Sequence, residues 1–229
     1  MMSPEFSVPV QEIVERYRRF FSGLVFDQLD ERGLGHLVLA NDIKPLTTDA
    51  KIAGPAFTVK GQLSTDSGPG HNQVQLEMFS RFEPFSVEVI EAGGDTSSAH
   101  FGGLNATACI ARNVTGTVTD GGTRDTHQLL GMNYPVFCRF RNPVAATGRW
   151  KVVEYQTPIK LPGAIIREVP IHPGDFVFGD IDGVVIVPKD LTLTILEACE
   201  EHMGIERDAM TELAAGDDVV EVFKRHRKF

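Results

Sequence analysis

Two hydrophobic periods alternate along the chain. Residues 11–21 set Ile13, Tyr17, Phe20 and Phe21 on one side of a helical wheel and Glu15, Arg16 and Arg19 elsewhere, which predicts an amphipathic helix. A second short helix is expected over 24–32, with Gly33 placed as its left-handed terminator. Residues 52–63 switch to apolar–polar alternation and predict a strand. Residues 72–82 return to helical spacing through Val74, Leu76, Met78 and Phe79. A strand over 86–92, a small-residue helix over 104–112, a strand over 114–118, a short apolar helical run over 129–132 and a strand over 135–140 follow. Polar, glycine-rich loops at 64–70 and 93–103 separate them. Strand–loop–helix repetition of this kind is the pattern of an α/β layered fold.

Beyond Asn142 the pattern changes. Residues 150–160 and 164–169 read as strands, and 176–179 and 184–188 as two apolar strands joined by Asp180, Ile181, Asp182 and Gly183, a hairpin signal. The second half is therefore expected to be antiparallel and continuous with, or packed on, the first. A helix over 191–207 is expected to break near Gly204 and run on to Leu213. After Gly216 a last short helix spans 219–228 with a basic end. Without repeats or a linker, residues 1–229 read as one domain with a mixed sheet.

Composition narrows the function. The 229 residues carry 22 basic against 31 acidic side chains, a net charge of −9, which speaks against a nucleic-acid backbone as partner. No run approaches the ~18 apolar residues that span a bilayer, and residues 1–19 lack a signal-peptide core, so a soluble cytoplasmic protein is expected. Cys109, Cys138 and Cys199 are isolated and sit in apolar contexts, as reduced buried thiols do. Serine-hydrolase elbows, dinucleotide fingerprints and P-loops are missing from the sequence.

The candidate chemistry gathers at residues 119–127, Thr-Asp-Gly-Gly-Thr-Arg-Asp-Thr-His, directly after a predicted strand. Arg124 offers a planar fork for a carboxylate, and Asp125 a hard oxygen ligand for Mg²⁺. A solvated ion pair in a surface turn is the other reading of the same residues. A second glycine segment, Gly102, Gly103, Leu104 and Asn105, opens the preceding helix, where backbone amides hold anions. At neighbouring strand ends the two segments would clamp one carboxylate from two sides. His71, His100 and His127 lie in or beside these loops as candidate bases, and each also fits a solvated loop histidine. Asp180 and Asp182 fit a hairpin turn better than a metal site.

Gly103 followed by 20 residues and Arg124-Asp125 resembles the signature of the divalent-metal-dependent class II pyruvate aldolases, the 4-hydroxy-4-methyl-2-oxoglutarate/4-carboxy-4-hydroxy-2-oxoadipate aldolases. These share the RraA-like fold of the regulator of ribonuclease E activity A. The likeness takes in residues 54–59, 116–125, 134–137, 173–175 and 180–188. It implies a swivelling ββα fold of the phosphohistidine-domain type, and a homotrimer or homohexamer with its site between subunits. It implies that Arg124 binds a 2-oxo acid carboxylate beside the amides near Leu104 and Asn105, and that Asp125 alone ligates Mg²⁺ or Mn²⁺. A glutamate of a neighbouring copy's C-terminal helices would hold metal-bound water, with Glu206 the best match and Glu200 or Glu201 as alternatives. The chain departs from the family pattern at Gln128 and Gly103, where acids are common, and at His71 before Asn72. The implied activity is aldol cleavage or oxaloacetate decarboxylation through a shared pyruvate enolate. A lyase of another sugar or hydroxy acid, or a non-catalytic regulator docking on a protein partner, are the competing readings.

Overall fold

The computed structural model describes residues 6–226, with the side chain of Glu206 outside that description. Two helices, α1 (Val10–Tyr17) and α2 (Ser22–Asp30), come first. The first is shorter than its period suggested. The chain turns after Tyr17, with Phe20 N–H on the Tyr17 carbonyl, so Phe20 is buried while Phe21 is 44% exposed. Asp180 fixes the start of α2 by accepting from both the N–H and the Oγ of Ser22 at 2.7 Å. Gly33 ends it at φ +75°, with Leu34 N–H reaching the Leu29 carbonyl, as the sequence led us to expect.

The sheet is organised on one long strand. After β1 (Lys44–Pro45) comes β2 (Ile52–Leu63), buried along its first eight residues. Then follow α3 (Gln73–Arg81), β3 (Val87–Glu91), β4 (Ala99–Phe101), α4 (Gly103–Ala111), β5 (Gly116–Thr119), β6 (Gly122–Thr123), α5 (Thr126–Gly131), β7 (Val136–Cys138) and β8 (Phe140–Arg141). The last part holds β9 (Trp150–Tyr155), β10 (Ile159–Pro162), β11 (Glu168–Ile171), β12 (Phe176–Gly179), β13 (Val184–Val187), α6 (Thr192–Ala214) and α7 (Val219–His226). Among the described residues the main sheet runs β1-β7-β5-β3-β2-β12-β13, and β9 also pairs with β2. Strands β2, β3, β5 and β7 are parallel; β1, β9, β12 and β13 add antiparallel pairs. The α/β fold with mixed sheet and C-terminal helices is the class expected. The strand foreseen over 150–160 divides into β9 and β10, because β9 pairs with β2 while β10 turns away to pair with β11.

Period-2 alternation decides the layers. Val87 and Val89 of β3 point to one face, with Ile52, Val118 and Phe137 and the β10–β11 hairpin. Ile90 points to the other, where Phe57, Phe101, Ala106 and Leu129 pack with α3, α4 and α5. A third cluster seats α1, α2 and α6 on Phe176, Phe178, Val185 and Val187. α6 is unbroken through Gly204, contrary to the expected break. A helix-interior glycine costs only about 1 kcal/mol, and Ile195, Leu196 and Cys199, buried against α1 and α2, anchor the N-terminal half of the 23-residue helix.

One feature was invisible to periodicity. Past the ends of β3, β5 and β7 the chain bends and forms β4, β6 and β8, a second parallel sheet in the same order. β4 runs into α4 and β6 into α5. Two helix N-termini are thereby set side by side beyond the carboxyl ends of the main strands.

Candidate active site

Arg124 and Asp125 stand where β6 passes into α5. The Arg124 N–H donates to the Phe101 carbonyl at 3.0 Å and so ties this turn to the end of β4. Asp125 is the N-cap of α5 in the left-handed region, φ 58° and ψ 30°, which an aspartate tolerates better than most residues. Its carbonyl accepts from the N–H groups of Gln128 and Leu129. That backbone turns the carboxylate toward α4, where Asp125 Oδ2 accepts from Gly103 N–H at 3.1 Å and lies 3.5 Å from Arg124 Nε. The two side chains are 39% and 33% exposed, so ligands can reach them.

Gly102 makes that approach possible. A Cβ there would lie 2.8 Å from Asp125 Oδ2 and 3.2 Å from Arg124 Cγ. In α4 the first intrahelical bond is Ala106 N–H to the Gly102 carbonyl, so the Leu104 and Asn105 amides belong to the open first turn. Cation, carboxylate and helix N-terminus thus meet at one place, as the two glycine segments suggested.

They border a cleft of about 180 Å³. Part of its lining is Phe101, Gly102, Leu104, Asn105, Arg124 and Asp125. The rest comes from Ala99 and His100 of β4, from His71, Asn72 and Gln75 before and within α3, from Ala145–Thr147 of the loop after β8, and from Trp150, Lys151 and Val152 of β9. No local pattern announces the β9 contribution, which depends on the antiparallel pairing of β9 with β2.

The three loop histidines have different fates. His100 is 3% exposed, its Nε2 lies 3.0 Å from Asp95 Oδ2 and its Nδ1 accepts from Gly122 N–H at 3.1 Å. Burial lowers its pKa against the opposing pull of Asp95, so the ring is neutral with both nitrogens engaged, and it braces the bend rather than moving protons. Burial also pushes Asp95 upward, but hydrogen bonds from Ser97, Ser98 and His100 carry its carboxyl well below the usual range. Gly121 leaves room for the same imidazole, since a Cβ there would sit 2.2 Å from His100 Nδ1. His127 is exposed and outside the cleft lining. His71 is half-buried in the lining, with Nδ1 3.0 Å from the Gly68 carbonyl. A carbonyl only accepts, so in the neutral ring Nδ1 carries the hydrogen and Nε2 keeps its lone pair.

Other predicted residues fall elsewhere. Gln128 is exposed, and its Oε1 lies against Gly103. Asp180 is structural, taken by Ser22 and by the Asp182 N–H. Glu200 is held by Arg16 at 2.8 and 2.6 Å, which lowers its pKa; Glu201 is exposed, and the Glu206 side chain is outside the described residues. Asp120 is buried where β5 bends, and burial raises its carboxyl to about 6 against the Ala92 N–H. The three cysteines are free and buried.

Among the described residues no three of His, Cys, Asp and Glu gather into a metal cage. A single accessible carboxylate beside open space fits Mg²⁺ or Mn²⁺, since Mg²⁺ usually keeps several waters. A larger cavity, about 680 Å³, lies at the amino ends of the parallel strands beside Phe85, Asn113 and Asn133. Lys51, on its rim, is tied to the Arg18 and Phe20 carbonyls, and none of the glycine-loop residues reaches it. No described helix is long and apolar enough to cross a membrane.

A family model described as RraA-like, Aldolase/RraA, matches residues 23–186. A relative from Halalkalibacterium halodurans, provisionally named a 4-hydroxy-4-methyl-2-oxoglutarate aldolase, is 29% identical over 92% of each chain. A solved structure described as a novel cellulase from gut-associated microbes superposes with a TM-score of 0.83 at 31% identity over 91% of each chain. The Streptomyces coelicolor RraAS2 structure, described as an unusual member of the RNase ES inhibitor RraA family, gives 0.77 at 22% identity, covering 90% of this chain and all of that one, a likeness of fold.

Proposed function

Since the chain belongs to the RraA-like family, we propose that it is a lyase that breaks a C–C bond of a 2-oxo acid and releases pyruvate. The observation that carries this reading is the Arg124–Asp125 pair held against the open N-terminus of α4 by the Gly103 amide. Arg124 takes the substrate's C1 carboxylate through its fork, and the Leu104 and Asn105 amides with the helix dipole add to the same hold. Asp125 is the residue that would hold Mg²⁺ or Mn²⁺, and the ion when bound supplies Lewis-acid polarisation of the keto group. In 4-hydroxy-4-methyl-2-oxoglutarate, His71 Nε2 accepts the 4-hydroxyl proton as the C3–C4 bond breaks. The electron pair of that bond passes to C3 and into the keto group, and the former C4 leaves as a carbonyl. The resulting pyruvate enolate takes a proton at C3. Oxaloacetate reaches the same enolate by losing CO₂, so one cleft serves both reactions.

In this reading the site is completed between copies in a homotrimer or homohexamer, with the C-terminal helices at the interface. Of the three glutamates that the family resemblance offers to a neighbour's metal-bound water, Arg16 already occupies Glu200, and Glu201 is exposed. A glycosidase would need two carboxylates roughly 5–9 Å apart across the cleft, and Asp125 is the sole carboxylate in the described lining.

The test is pyruvate release from 4-hydroxy-4-methyl-2-oxoglutarate and oxaloacetate, read by a coupled dehydrogenase. We expect activity with Mg²⁺ or Mn²⁺, its loss with chelator and in Asp125→Asn, and a KM raised about 10- to 100-fold in Arg124→Ala, as losing a charged hydrogen bond implies. Asparagine is chosen because it accepts the left-handed backbone of residue 125. Pure protein inert toward a panel of 2-oxo acids with either metal would refute the lyase reading and favour a binding regulator.

A further inference from the structure

A hydrogen-bonded cluster lies in the core directly behind the cleft, with a carboxyl group at its centre. Glu88, in the middle of β3, is 1% exposed and projects on the same face as Ile90, into the cluster of Phe57, Phe101, Ala106 and Val136. Thr117 Oγ1 of β5 donates to Glu88 Oε2 at 3.0 Å, and Cys109 Sγ of α4 reaches the same oxygen at 3.7 Å. The Tyr134 hydroxyl, three residues past α5, lies 3.0 Å from Thr117 Oγ1. The threonine has one hydrogen, and spending it on Glu88 leaves its oxygen to accept from Tyr134. Donors from two elements, β5 and α4, therefore converge on one carboxyl oxygen, and Tyr134 joins them through Thr117. Among the described residues, the titratable groups that face it are Cys109 from α4 and Tyr134 from the turn after α5, while Phe57 of β2 and Met78 of α3 are apolar.

The cluster pins the far ends of the two helices whose near ends make the site. Cys109 is six residues along α4 from Gly103, about 9 Å at 1.5 Å per residue, and Tyr134 follows the helix that Asp125 caps. Phe101 of the cleft lining also stacks on Tyr134, with centroids 5.9 Å apart. We propose that Glu88 is a positioning residue: its carboxyl group, through Cys109, Thr117 and Tyr134, locks α4 and α5 to the sheet and so sets the contact between the Gly103 amide and the Asp125 carboxylate. Burial supports this by raising the carboxyl to about 7 against the Thr117 and Cys109 hydrogen bonds. Ionisation puts an anion into an apolar cluster, and the packing loosens to admit water. Its catalytic consequence rests on the reading of the cleft as a pyruvate-releasing site; the structural coupling does not.

The experiment follows the Gly103 and Asp125 amide resonances of the full chain by NMR between about pH 5.5 and 8.5, with the Glu88 carboxyl carbon as reference. We expect both amides to move with the Glu88 midpoint in wild type and in His71→Asn, and to lose that transition in Glu88→Gln. Tyr134→Phe should uncouple Asp125 while Gly103 still follows through Cys109, which keeps the test decisive if Glu88→Gln does not fold. In parallel, Mg²⁺-dependent deuterium exchange at the pyruvate methyl should fall about tenfold per pH unit above the midpoint, and Glu88→Gln should remove that limb. Amides that ignore the Glu88 titration, or a transition that survives Glu88→Gln, overturn the proposal. Coupled amides without methyl exchange at any pH would overturn the pyruvate reading and leave the positioning role standing.

Discussion

Glu88 also makes folding stability fall as pH rises. Its carboxyl titrates near 4.5 when unfolded and about 7 when folded, so its contribution is complete below about 4.5 and lost through about 7. The difference corresponds to on the order of 3 kcal/mol. Asp120, raised to about 6, acts in the same sense over a lower range. His100 runs the other way, since its lowered pKa disfavours the folded state in acid. Denaturant titrations at pH 5 and pH 8 should therefore show a smaller pH dependence in Glu88→Gln than in wild type; an unchanged difference would mean the carboxyl is already ionised. His71 makes a kinetic prediction. In His71→Gln, kcat for the aldol substrate should drop about 10²- to 10⁴-fold, the usual worth of general base catalysis. Oxaloacetate has no hydroxyl proton to remove and should be decarboxylated nearly as before. An equal loss on both substrates would count against a base role.

At the level of elements, the short β4–β6–β8 sheet is what brings the site together, and Gly102 is where Asp125 comes close to the start of α4. Its backbone is extended at φ −168°, so Gly102→Ala introduces no dihedral strain and acts only through the Cβ 2.8 Å from Asp125 Oδ2. We expect the melting temperature to be nearly unchanged and activity reduced up to about 100-fold, as a displacement near 1 Å can do; a variant with wild-type kinetics would show that the contact is dispensable. The sequence announced the longer elements because long segments carry a period: β2 matches its forecast end to end, and Gly33 closes α2 as foreseen. It concealed β6 and β8, which have two residues each. It also concealed the β9 side of the cleft and the partners of Glu88, because strand pairing and cross-chain hydrogen bonds leave no local periodicity. The meeting of Arg124 and Asp125 with the glycine segment of α4 was legible because glycine, arginine and aspartate keep their chemistry whatever surrounds them.

For the molecule as a whole, Arg16 and Glu200 join the first helix to the C-terminal helix by a two-pronged ion pair. Glu200 is 37% exposed, so Arg16→Ala should cost only about 0.5–1 kcal/mol, less in high salt. A larger loss in denaturant titration would show that the pair also orients α6 for assembly. The buried sulfur atoms have a practical consequence. Since Cys109, Cys138 and Cys199 are all shielded, a cysteine introduced in place of Leu104, 86% exposed at the lip of the cleft, would be the one thiol open to alkylation in the folded protein. A fluorophore attached there would turn the cleft into an optical sensor, reporting metal and oxo-acid binding without waiting for turnover.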